Sequence, residues 1–219
     1  MKHARASLPV LGLIFAMAGP VAAQEAWRAK VTGFTADLYK QVIDAHNQRD
    51  YALAKSLAAT DHVTLDDDVM FAAAYLHDVG SWPGWAEQGK EHGDVSAAKL
   101  DQMLAGTDFP KDKMDKVREA MRTHMFYRDP VSPEARYLHD ADALDNMGAI
   151  GVASLLELVD RNGGNLTGQK AIEFSRKNAE AVKDRLVTPA GKAMVAPRLA
   201  EQKAFLDALD RETDGFKMF

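Results

Sequence analysis

From Gln24 onward the apolar residues recur at helical spacing, and no long apolar/polar alternation rich in Val, Ile and Tyr interrupts them. A chain patterned this way has to pack helix against helix, because each amphipathic helix needs a partner for its apolar stripe. The pattern predicts helices over about 26–45 and 43–59, the first running into the second. Thr64 with Asp67 reads as an N-terminal cap for a helix through Val69, Met70, Ala73 and Leu76 that ends at Gly80. Ser81-Trp82-Pro83-Gly84-Trp85 reads as a loop. Further helices are predicted from Glu91 to Leu104, from Pro110 to about Tyr127, and from Pro133 to about Met147. Ala149 to Val159 is strongly apolar and predicts a buried helix; Asn162-Gly163-Gly164-Asn165 predicts a turn. Two amphipathic helices close the chain, over about 168–186 and 189–209. The fold class expected is all-α.

The 219 residues suffice for one ordinary domain with a good core. A formal net charge of −5 and a pI of about 5.8 argue against a nucleic-acid binder, which needs a basic face. The N-terminus reads as a signal peptide. Lys2 and Arg5 precede a short apolar stretch, Leu8 to Ala18, and Val21-Ala22-Ala23 supplies a cleavage site before Gln24. Pro9, Gly12, Gly19 and Pro20 break that stretch, whereas a spanning helix needs about 20 apolar residues. Residues 1–23 are therefore read as a cleaved signal and 24–219 as a single domain. The expected location is periplasmic or secreted, with no stable membrane insertion after cleavage. Removing 1–23 takes away Lys2 and Arg5 and no acid, leaving the mature chain near −7. No cysteine is present, so disulfides are excluded.

Of seven histidines, six lie between residues 46 and 139. Two are followed directly by Asp, in His77-Asp78 and His139-Asp140. Imidazole and carboxylate together ligate divalent ions, imidazole favouring the transition metals. His77-Asp78 stands where the apolar run Phe71 to Leu76 gives out, at the edge of a core. Alone the dipeptide is common.

The wider set is specific. His46-Asn47-Gln48-Arg49 with Leu53 and Ala54, then Ala73-Ala74-Tyr75-Leu76-His77-Asp78-Val79-Gly80, then Asp140-Ala141-Asp142 running through Asn146-Met147 to Gly151, resembles the HD superfamily of metal-dependent phosphohydrolases in order and spacing. The resemblance covers about 46–164, leaving helices at about 168–211 without a motif and open to two roles, closing the pocket or forming a dimer face. It implies an HD-like helical bundle with a metal in its core, held by His46, His77, Asp78 and Asp142. His92 and His124 resemble the further histidines of two-metal members, and their role is a second metal or a substrate phosphate. If both are ligands, Asp78 is the bridge. The pattern departs at one place: the family usually has an apolar residue after the Arg of the first motif, and here stands Asp50, which puts the packing of that helix in question.

Around this set several roles stay open. Arg49 either faces the pocket or bridges a carboxylate. Asp145 and Asn146 share the helix face of Asp142 and either support the ligands or make structural contacts. Asp140 supports Asp142 or bonds a neighbouring helix end. Lys90, Lys111 and Arg128 are candidate phosphate partners, or ordinary surface charges. Trp82 and Trp85 stack a base or form a hydrophobic rim. His62 is expected to be a surface or packing residue and His139 to lie at the surface, His3 belongs to the signal, and Asp66, Asp67 and Asp68 are favourable charges at a helix start.

The expectation is a phosphohydrolase using one or two divalent ions (Mn, Fe, Zn, Ni or Mg) on a small phosphorylated substrate, with a nucleotide as one candidate. The same residues would serve a di-iron oxygenase of this fold. A non-catalytic metal-binding or scaffold protein is the third reading, disfavoured by the intact ligand set.

Overall fold

The computed structural model describes residues 20–38, 46–157, 159 and 167–218, with side chains from residue 26. The described residues form helices and no strands, in the order α1 (Pro20–Leu38), α2 (His46–Thr60), α3 (Asp67–Leu76), α4 (His92–Ala98), α5 (Leu100–Met103), α6 (Met114–Thr123), α7 (Pro133–Asp145), α8 (Gly148–Glu157), α9 (Gly168–Val182) and α10 (Pro189–Glu212). Short 3₁₀ turns at Val79–Ser81 and Lys111–Lys113 precede α4 and α6. The all-α expectation is correct. The turn expected at 162–165 and most of the signal segment lie outside the described residues.

Helix α3 is the axis. Val69 to Ala74 and Leu76 are all buried, because a helix apolar on every side must be covered on every side. Helices α1, α2, α6 and α7 cover it. Ala72, Ala73 and Ala74 hold no bulk there, so the neighbouring backbones come close. Trp27 of α1 joins this core edge-on to Phe71 and Phe109, at 5.4 and 4.9 Å between ring centres. A second, smaller cluster of Val152, Ile172 and Leu206 ties α8 to α9 and α10.

The start of α3 corrects the sequence reading. Asp66, not Thr64, caps it, accepting from the amides of Asp68 and Val69 at 3.2 and 3.3 Å. The Asp66–Asp68 triplet is indeed a helix-start feature, tied to Arg28 and Lys113. The predicted 91–104 helix is two helices, broken at Lys99. Pro110 leads a 3₁₀ turn rather than opening α6, which stops at Thr123. Ser132 and Thr188 cap α7 and α10 ahead of their prolines, as the first-turn prolines predicted. Helix α8 is less buried than its composition suggests: only Gly148, Gly151 and Val152 are fully covered, because its other face borders a cavity.

Candidate metal centre

Two helix starts and two helix ends meet beside α7. His46 opens α2 and His92 opens α4; His77 and His124 follow the last residues of α3 and α6. Asp78 lies one residue past His77, and Asp142 projects from the last turn of α7.

The rings are aimed by their outer nitrogens. His46 Nδ1 is 2.7 Å from Asp145 Oδ2. His77 Nδ1 donates to the Ala74 carbonyl at 2.9 Å and His124 Nδ1 to the Met121 carbonyl at 2.7 Å. His92 Nδ1 lies 2.9 Å from Glu91 Oε1. Each Nε2 is thereby left to face the centre, the arrangement in which a histidine serves a metal. Asp78 stands among them: its Oδ1 is 3.1, 3.6 and 3.7 Å from Nε2 of His92, His77 and His124, and its Oδ2 is 3.7 Å from Nε2 of His46. Asp142 Oδ1 lies 3.5 Å from His46 Nε2 and accepts from Asn146 Nδ2 at 3.0 Å.

The donor set fits one or two divalent ions. Ligand atoms of His46, Asp50, His77 and Asp142 lie within 4.8 Å of one another, and so do those of His77, Asp78 and His124. His77 is fully buried and its Nε2 has no hydrogen-bond partner. His92 and His124 face each other Nε2 to Nε2 at 3.0 Å. Since His124 spends its proton on Met121, a proton on His92 or a shared cation has to stand between those nitrogens.

Electrostatics divide the cluster. Burial opposes the charge on Asp78, but His77, His92, His46 and His124 around it hold its carboxyl well below the usual range. Burial pushes Asp142 up, against the pull of His46 and His77. Burial would lower His46 too, yet Asp50, Asp145, Asp142 and Asp78 outweigh it and hold the imidazole up at about 10. His124, buried beside His77, is pushed down to about 3.

The four expected ligands and both further histidines thus come together in one place. Arg49 is a salt bridge: Nε and Nη2 grip Asp145 at 2.7 and 2.8 Å. Asp145 and Asn146 orient His46 and Asp142. Asp140 bonds a neighbouring helix end, accepting from the Val187 and Thr188 amides at 2.9 and 2.8 Å. His139 is a correction: it is fully buried, not at the surface, with Nδ1 2.9 Å from Asp140 Oδ1 on a helix that packs against α2, α6 and α10. His62 is exposed, in the turn after α2. Lys90, Lys111 and Arg128 do not reach the centre. Lys90 pairs with Glu87, Arg128 with Asp94, and Lys111 lines a different cavity. Trp82 and Trp85 pack on the core, Trp85 edge-on to Phe34 at 5.4 Å.

A cavity of about 260 Å³ opens over the cluster. Met125, Phe126, Leu155, Phe174 and Val182 wall it, so α9 helps close the pocket. The residue that the sequence reading did not place is Asp50. It is fully buried in α2, with Oδ2 3.1 Å from His46 Nε2 and 3.7 Å from His77 Nε2. The signal was present, as an acid four residues after His46 and so on the same helix face.

Residues 45–147 match the family model of the HD domain. No protein of curated function matches the sequence. The fold is similar to that of Bacillus subtilis YpgQ in complex with ADP: TM-score 0.62, 18% identity, covering 87% of this chain and 96% of that one. It is similar also to an HD-superfamily hydrolase from Bacillus thuringiensis, at TM-score 0.59 and 20% identity, covering 87% and 98%. A third similar fold is a predicted HD-superfamily hydrolase from an uncultured Thermotogales bacterium, at TM-score 0.55 and 21% identity, covering 88% and 92%.

Proposed function

We propose that this chain, whose residues 45–147 match the HD domain and whose fold is similar to that of HD-superfamily hydrolases, is an HD-type metal-dependent phosphohydrolase acting on a phosphate ester. The observation that carries this is the convergence of His46, Asp78 and Asp142 at the floor of an open, apolar-walled cavity, with His77 buried behind them. His46, His77, Asp78 and Asp142 would hold the first ion, and His92 and His124, with Asp78 between the two groups, a second. A bound divalent ion supplies Lewis-acid polarisation of a phosphoryl oxygen and an acidified water at neutral pH. The chain's own part is positioning. Asp145, clamped by Arg49, fixes the His46 ring, and Asn146 fixes Asp142. The apolar wall lowers the local dielectric and leaves the substrate phosphate to the floor.

Nucleotides are the phosphate esters to assay first, since YpgQ of similar fold was solved with ADP. The test begins with elemental analysis of the purified protein and of Asp78→Ala, followed by phosphate release from a panel of esters. One or two equivalents of metal, lost together with hydrolysis in the variant, support the reading. Near two equivalents of iron with dioxygen uptake and no phosphate release would replace it by the di-iron oxygenase. Absence of metal even after reconstitution would leave a scaffold.

Export to the periplasm or beyond is proposed on the N-terminal pattern. Trp27 is the first core residue described, so cleavage after Ala23 leaves the described core intact. Among the described residues no helix is long and apolar enough to cross a membrane. Intact mass of the processed protein checks this: a chain beginning at Gln24 supports export, and one retaining residues 1–23 opposes it.

A further inference from the structure

The assigned ligands leave one buried carboxyl group unaccounted for. Asp50 is 0% exposed, and neither carboxylate oxygen has a hydrogen-bond partner. A buried carboxylate without partners is costly, and in native proteins such groups are paired or bind a cation. Three further carboxylates, Asp78, Asp142 and Asp145, act on the same space and repel it. Arg49 is committed to Asp145. Among the described residues the nearest imidazole is His46, whose Nε2 stands 3.1 Å from Asp50 Oδ2.

That pairing cannot survive metal binding. His46 Nδ1 is held by Asp145, so Nε2 is its only free donor atom. An Nε2 that ligates a metal carries no proton. Asp50 then keeps no cationic partner except the metal itself. The spacing agrees. Two atoms each about 2.1 Å from one ion stand about 3.0 Å apart at a right angle and about 3.4 Å apart at the tetrahedral angle. His46 Nε2 lies 3.1 Å from Asp50 Oδ2 and 3.5 Å from Asp142 Oδ1, and His77 Nε2 lies 3.7 Å from Asp50 Oδ2.

We propose that Asp50 is a further ligand of the first metal ion, beside His46, His77, Asp78 and Asp142, which makes a set of two histidines and three carboxylates. The added oxygen makes the site harder and more negative, which favours Mn²⁺, Fe²⁺ or Mg²⁺ relative to a nitrogen-dominated site. This rests on the metal reading of the centre and not on which reaction it performs.

The test uses the full chain, stripped by chelator, with Mn²⁺ and Co²⁺ alone as probes, in wild type, Asp50→Asn and Asp50→Val. Calorimetry gives affinity, the visible spectrum of bound Co²⁺ reports its ligand number, and thermal unfolding is followed with and without metal. Expected are a loss of affinity of about tenfold or more, a changed Co²⁺ spectrum, and a smaller metal-induced rise in Tm. Metal-free Asp50→Asn should melt close to wild type, since burial and the neighbouring carboxylates already oppose a charge at that position. It is isosteric, so it decides the matter if Asp50→Val fails to fold. Affinity within twofold of wild type, or weaker binding with an unchanged Co²⁺ spectrum, would overturn the assignment. The second result would make Asp50 a partner of His46 only. Wild type that binds no metal overturns the metal reading and this proposal together. Metal binding without phosphate release, with the Asp50 variants weakened, supports the proposal and removes only the hydrolase.

Discussion

His46 is held from both sides by carboxylates, and what each one does follows from which nitrogen it meets. Asp145 meets Nδ1 at 2.7 Å and is itself neutralised by Arg49, so it orients the ring without competing for a metal. Asp50 meets Nε2, where the metal would sit. Asp145→Asn keeps the shape, removes the charge and frees Arg49 from its partner. Mn²⁺ affinity should fall by about 10–100-fold, read by calorimetry; unchanged affinity would show that backbone packing alone aims the ring. Asp145 and Asn146 were reachable from sequence because they lie three and four residues after Asp142 on one helix. Which of them meets His46 was not, because that contact spans 99 residues.

Among the elements, α4 is short, and the site depends on how closely it can approach its neighbours. A Cβ on Gly93 would stand 2.6 Å from the Met121 carbonyl and 3.0 Å from His124 Cε1. Only glycine lets α4 lie against the end of α6, which is what brings His92 and His124 together. Gly93→Ala should cost about 1–3 kcal/mol of stability and part the two rings. Denaturant unfolding and metal stoichiometry check this, with a lost second equivalent as the expected sign. The start of α3 carries a pH dependence. Burial raises the Asp67 carboxyl, but Lys55, Tyr51 and Arg28 bond it and pull it down to about 2 from the ordinary 3.8. A depressed folded value means stability present above about pH 4 and lost as pH falls toward 2. Because the Asp67 side chain is 43% exposed, the contribution is about 0.5–1 kcal/mol. Asp67→Asn should flatten the fall in Tm between pH 4 and 2; an equal fall in the variant would assign it to other groups.

For the whole molecule, the His/Asp cluster joins α2, α3, α4, α6 and α7, so metal bound there should brace the bundle. Ligand bound only by the folded state at 1,000 times its Kd adds about 4 kcal/mol. Adding Mn²⁺ to stripped protein should therefore raise Tm, and chelator should reverse it; a Tm indifferent to both would detach the centre from the fold. The sequence by itself determined the helical class, the prolines in the first turns of α7 and α10, and the six His and Asp residues that come together at the centre. Those signals are local: periodicity, turn chemistry, and motifs whose spacing fixes which face a side chain takes. Only the tertiary structure decided that His139 is covered while His62 is exposed, that Lys90, Lys111 and Arg128 stay away from the centre, and that α9 walls the cavity. It also turned Asp50 from a break in an apolar pattern into a buried carboxyl group among the candidate ligands. Each of those outcomes depends on which helices pack together, and that is set by the sum of contacts between segments far apart in the chain.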